Sequence, residues 1–192
     1  IWDDHDFTTN DGWGGPDIEK PKWKRKVWEI FKENYDNPYY GGGEKQPGCW
    51  FDFRIGDVHF VMIDGRYYRE SPRSKENPSM LGPAQLKWLK QTLKQPATFK
   101  VLCTNVPMTP KVKPGSKDTW DGFAAERQKI FQYIADQKIP GLVILSADRH
   151  RSDAYKIDTG IKGMYPLYEC QSSRLTNQHV HGLIKHSLFG YN

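Results

Sequence analysis

The 192-residue sequence has only three cysteines and no CxxC pair, so neither a zinc knuckle nor a thioredoxin-type redox site is supported. Cys49, Cys103 and Cys170 are widely spaced, and a Cys49–Cys170 disulfide is neither required nor excluded by that spacing. Cys103, within Val101-Leu102-Cys103, reads as a small core residue. No apolar run approaches the roughly 18 residues of a membrane helix, which excludes an integral membrane protein built on such spans. No block of like charge appears either: 28 Lys+Arg and 23 Asp+Glu are mixed along the chain, for a net charge of +5. With 7 Trp, 10 Tyr and 9 Phe, wholesale disorder is excluded and one sizeable core is expected. Internal repeats, a domain linker, an initiator Met and a signal-like segment are all lacking.

What is present is an alternation of strand and helix patterns. Residues 1–16, polar and closing on Gly14-Gly15-Pro16, read as an exposed loop with Ile1-Trp2 as a strand remnant. From Asp17 to Tyr35, Trp23, Val27, Phe31 and Tyr35 recur every fourth residue, which predicts an amphipathic helix burying that face. Trp50–Ile55 and Val58–Asp64, joined by Gly56-Asp57, read as a hairpin. Leu81-Gly82-Pro83 opens a second helix carrying Leu86, Leu89 and Leu93, and a third runs over about Gly122–Gln137. Phe99–Thr104 is a buried strand, and Leu142–Leu145 has the continuous apolar character of a central strand buried on both faces. Two further strands, near Ala154–Ile157 and Leu167–Gln171, precede a polar tail with His179, His181 and His186, read as solvated histidines. The fold class is α/β, a single domain over residues 1–192.

In such sheets ligands bind beyond the carboxyl ends of the strands. Three polar segments fall at such ends: Asp3-Asp4-His5-Asp6, Asn105, and Asp148-Arg149-His150. Carboxylates and amide oxygens suit Ca, Mg or Mn, whereas imidazole suits Zn or Fe. A mixed set at several loop tips is what a two-metal hydrolytic site requires, with His5 free to protonate a leaving group. Alone, Asp3-Asp4-His5-Asp6 reads more readily as a solvated loop or cap and Asn105 as a turn, while Asp148-Arg149-His150 is evenly balanced between surface turn and site; their joint occurrence favours a site.

The chain resembles the PhoD-type alkaline phosphatases and phosphodiesterases, a branch of the calcineurin-like metallophosphoesterases. The resemblance rests on Trp2-Asp3-Asp4-His5-Asp6 with Asn10-Asp11, Ile63-Asp64-Gly65-Arg66-Tyr67-Tyr68-Arg69, and Leu81-Gly82-Pro83-Ala84-Gln85-Leu86-Lys87-Trp88-Leu89. It continues through Asp118-Thr119-Trp120-Asp121-Gly122-Phe123 with Glu126-Arg127, and Leu145-Ser146-Ala147-Asp148-Arg149-His150. It implies an α/β sandwich of two central sheets flanked by helices. It also implies a dinuclear metal centre that hydrolyses phosphate mono- or diesters with a metal-bound hydroxide. By the same resemblance Asp4, Asn105, Asp148 and His150 are metal ligands, His5 is the catalytic histidine, and Arg66 binds phosphate. Ca and Fe are favoured by the family, with Mn, Mg or Zn compatible, and the location implied is periplasmic or secreted.

Two departures stand out. Ala147 replaces a glycine of the family motif and would be strained if its φ were positive. Two metal-binding motifs that precede Asp4 in the family are absent, so the chain is expected to be a fragment incomplete at its N-terminus. Arg66 and Arg69 fit a phosphate clamp or an ion pair with Asp118 or Asp121, while Trp120 and Arg127 organise the loop beneath the site. Two other functions are open: a binding protein on the same fold with a degraded metal site, and a nucleic-acid-binding protein using the basic run Lys20–Lys26. For the latter run a solvated helix face is the favoured reading, leaving nucleic acid as a substrate only. The partner is thus a phosphate ester or phosphodiester, with no membrane span; the oligomeric state is not set by these motifs.

Overall fold

A computed structural model describes residues 1–73, 76–173 and 187–191. The hairpin forms as predicted: β1 (Phe51–Ile55) and β2 (Val58–Met62) pair antiparallel around Gly56-Asp57. From β2 the sheet grows by parallel pairing to β3 (Phe99–Cys103), β4 (Leu142–Ser146) and β6 (Leu167–Ser172). β5 (Ser152–Ile157) joins β6 antiparallel, and β7 (Ser187–Tyr191) joins β5, giving the order β1-β2-β3-β4-β6-β5-β7. The strand at 187–191 lies where the sequence suggested only a polar tail; His179, His181 and His186 fall outside the described residues. The parallel strands β2, β3, β4 and β6 all end at one edge, and their outgoing loops meet there.

Register explains which residues build the core. Val61, Leu102, Ile144 and Glu169 are cross-strand neighbours on one face, and all four are fully buried. The helices α3 (Gly82–Leu93) and α4 (Ala124–Asp136) cover this face, inserting Leu89 and Leu93 from the first and Ile130, Phe131 and Ile134 from the second. The other face carries Phe60, Val101, Val143 and Tyr168 in register, and none of these is buried. β4 is therefore central but buried on one side only: Leu142 and Ile144 face the helices, while Leu145 is 38% exposed. Among the described residues every strand belongs to this one sheet.

A second core lies beside the sheet and corrects the reading of residues 1–16 as an exposed loop. Trp2 and Phe7 are buried with Trp28, Phe31, Trp50, Tyr67 and Tyr68. Trp2 sits 4.8 Å from Phe7 and 5.2 Å from Phe31 between ring centroids. Large aromatics bury so much area that they override the polar residues flanking them. The helix α2 (Trp23–Asn34) presents Lys24, Trp28 and Phe31 to this core, not the predicted Trp23 and Tyr35, which stay exposed. Lys24 can lie inward because its ammonium donates to the carbonyls of Gly14, Gly15 and Tyr67 and lies 4.4 Å from the Tyr67 ring centre. Burial lowers its pKa to about 8. The basic run at Lys20–Lys26 is thus interrupted by an inward lysine, which removes a continuous cationic face.

Candidate active site

The segment that carries Asp4 and His5 is held by what lies under it. Trp2 Nε1 donates to Asp64 Oδ1 at 2.7 Å, so the second residue beyond β2 anchors the residue before the acidic motif. Asp64 also accepts from the backbone nitrogens of Cys49, Arg66 and Tyr67, which saturates a buried carboxylate. A short helix α1 (Asp4–Phe7) follows, closed by the Asp3 nitrogen donating to Asp6 Oδ2 at 2.8 Å. The Asp4 carboxylate accepts from the nitrogens of His5 and Asp11, both at 2.9 Å. The His5 imidazole is solvent-exposed, with Nε2 4.0 Å from Asp4 Oδ2. Gly14 closes the loop against the core: its nitrogen donates to Arg66 O, and a Cβ there would lie 2.1 Å from Tyr67 O.

β4 delivers the other half. Asp148 and His150 both adopt left-handed backbone, at φ +71° and +53°. Asp and His tolerate that region better than most residues, and such strain persists where surrounding structure enforces it. Ala147 is not among the positive-φ residues, so the alanine in the glycine position is unstrained and the cost falls on its neighbours. Asp148 is pushed up to about 7, by burial first and then by the charges of Asp118 and Asp3, with Lys113 and Arg149 opposing. A single cavity of about 660 Å³ is lined by Asp4, His5, Asp148 and His150, together with Lys113 and Arg149.

Two predicted site residues are not brought to that cavity lining. Asn105 is buried; its Oδ1 accepts from Gly65 N at 3.0 Å and its Nδ2 donates to Trp2 O. It ties β3 to the motif loop, and Gly65 is small enough for that approach, since a Cβ would lie 2.8 Å from Asn105 Oδ1. Arg66 is fully buried, with Nε donating to Asp3 Oδ1 at 2.7 Å and Nη1 donating to Asp118 Oδ1 at 2.8 Å. Its pKa is raised because those two carboxylates outweigh burial. Burial raises and Arg69 and Arg66 lower the Asp118 pKa, and the two arginines prevail. The guanidinium is a brace between the Asp3 loop and the loop before α4. Beneath it Trp120 Nε1 donates to Thr104 Oγ1, and Arg127 bonds Asp121 and Met108 O, as expected of residues that organise the loop.

Residues that the sequence reading left without a role include Lys113, Arg149 and Asp11 in the cavity, and Asp64 beneath it. Nothing local marks Lys113; only the fold sets it beside Asp148. For a metal centre the donor chemistry fits in kind: carboxylates face imidazoles, and one carboxyl is pushed up to about 7 by burial and then by the charges of Asp118 and Asp3. It does not fit in number, since no three His, Cys, Asp or Glu side chains among the described residues converge closely enough to hold an ion. The three cysteines are all free.

Comparison with known proteins identifies the family and the fold. The PhoD-like phosphatase profile matches residues 1–182. Alkaline phosphatase D of Bacillus subtilis (strain 168) is 29% identical over 120 residues, which cover 52% of this chain and 21% of that protein. A solved structure of PhoD superposes with a TM-score of 0.71 at 21% identity, over 90% of this chain and 39% of that one. The chain therefore spans about a fifth of the curated relative it matches.

Proposed function

Because the chain belongs to the PhoD-like phosphatase family, we propose that it forms part of one metallophosphoesterase-like catalytic domain that hydrolyses phosphate mono- or diesters. The observation that carries this reading is the pairing across one cavity of Asp4 and His5 from the N-terminal motif with Asp148 and His150 from the end of β4. Asp4, Asp148 and His150 would contribute donors to a dinuclear centre that the described residues do not complete; bound metal would supply charge neutralisation and a more acidic water. Ca and Fe are favoured by resemblance, and Mn, Mg or Zn are compatible. Lys113 and Arg149 supply cationic donors to the remaining phosphate oxygens. His5, exposed and tethered beside Asp4, passes a proton to the departing alcohol oxygen. Asn105 and Arg66 act through the loops they hold together. Phosphodiesters, nucleic acid among them, enter as substrates. No helix among the described residues is long and apolar enough to cross a membrane, and an extracytoplasmic location belongs to the same proposal by resemblance.

The test is hydrolysis of an aryl phosphate monoester and diester by the whole protein, with its metal content measured alongside. His5→Ala is expected to lower kcat about 10²- to 10⁴-fold with little change in thermal stability. Full activity in that variant, or no hydrolysis by metal-loaded protein, overturns the reading.

A further inference from the structure

Next to the acidic cavity lies a second cleft of about 250 Å³, and the two share Asn10 and Asp11 as their common wall. Their charges are opposite in balance. Asp3, Asp4, Asp6, Asp11 and Asp148 face Lys113 and Arg149 in the first. In the second, Arg69, Arg73 and Lys117 face Asp11 and Asp118. Asp118 is already engaged, because its carboxylate pairs with both Arg66 and Arg69 at 2.8 Å.

Arg69 is the buried element of this cleft. It is 1% exposed, and Nη2 bonds the Asp118 carboxylate and the carbonyls of Lys117 and Asp118. Its Nε and Nη1 have no hydrogen-bond partner among the described residues. A buried guanidinium with two unmatched donors is costly unless an acceptor arrives. Its carbon lies 4.8 Å from the Phe123 ring centre, which fixes the plane of the fork. Burial first, and the neighbouring charge of Arg66 second, lower its pKa to about 10, so it remains cationic at neutral pH. Arg73 and Lys117 stand exposed at the rim, and Trp13, 45% exposed, offers a ring to any organic group beside the anion.

We infer that this cleft is a second anion subsite, binding a phosphate carried on the alcohol portion of the substrate while the scissile phosphate occupies the acidic cavity. The inference rests on the phosphoesterase reading for its role in specificity, but the anion site itself can be measured apart from catalysis. It predicts a preference for esters whose alcohol bears its own phosphate over esters of plain alcohols. Asp11 lies between the two subsites and disfavours a single anion spanning them without cations in the first cavity.

The experiment is calorimetric titration of inorganic phosphate into the metal-depleted whole protein, in which the acidic cavity repels anions. Saturable binding is expected for wild type, weakened at least tenfold in the Arg73→Ala/Lys117→Ala double variant, whose changes are on exposed side chains and whose fold is checked by circular dichroism. Absence of binding, or equal binding by the variant, overturns the subsite. A second arm compares kcat/KM for a sugar bisphosphate and an aryl monophosphate in the metal-loaded enzyme. The ratio is expected to fall at least tenfold in the double variant; an unchanged ratio overturns the role in specificity. Loss of all hydrolysis in wild type while phosphate binding persists would instead refute the phosphoesterase reading and leave the anion site standing.

Discussion

Asp64 and Asp148 stand beyond the C-terminal ends of two parallel strands, β2 and β4, yet the surroundings of their carboxylates are opposite. Asp64 is fully buried and receives the Trp2 indole and three backbone N–H groups. Asp148 is partly buried in a left-handed turn, its carboxylate accepts no hydrogen bond from a described residue, and its pKa rises to about 7. The same residue type at the same sheet edge is an anchor in one case and an unsatisfied charge in the other. Asp64 is the more buried of the two, yet it is the one whose carboxylate is fully supplied with donors.

The largest effect is expected where the donors are most numerous. Asp64→Ala strands the Trp2 indole and three buried N–H groups, and should lower the free energy of unfolding by about 3–5 kcal/mol in urea. A loss below about 1 kcal/mol would erase the contrast between the two aspartates. Asp148→Asn should do the reverse in metal-free protein, leaving stability unchanged or improved, and should abolish the rise in Tm that the proposed metal centre predicts on adding Ca or Mn to the whole protein. For wild type at about 100 times the dissociation constant that rise corresponds to about 2.7 kcal/mol. A metal-induced shift retained in Asp148→Asn would remove the residue from any metal site.

The smallest effect is the pH dependence. A carboxyl whose pKa is about 7 folded and 3.8 unfolded binds its proton more tightly in the native state. Stability from this group is therefore present at acid pH and lost as pH rises through the window between those two values. Metal-free wild type should gain roughly 1–2 kcal/mol, or about 2–6 °C in Tm, from pH 8 to pH 5 relative to Asp148→Asn. Parallel profiles for the two proteins would show that the group is not desolvated as described.

Much of this was legible in advance. The apolar run Leu142–Leu145 leading straight into three ionisable residues placed a strand end just before residues that line the cavity, and α3 begins at its Gly82-Pro83 signal. Less legible was how side chains divide between bracing and chemistry. Arg66 looked equally suited to phosphate or to Asp118, and only the packing of two loops around it decided for Asp3 and Asp118. Asn105 carries the same ambiguity, settled by a glycine 40 residues away in sequence. The inward turn of Lys24 defeated the every-fourth-residue pattern because three carbonyls from outside its helix converge on it.

By itself the sequence determined the alternation of strands and helices, the order of the motifs and the family, since periodicity and local motifs are properties of short stretches. Tertiary structure alone decided which carboxylates are satisfied, which sheet face the helices cover, and that Ala147 is relaxed while Asp148 is not. Those outcomes depend on groups distant along the chain, where the number of donors and the dielectric around each charge are set only when the loops meet.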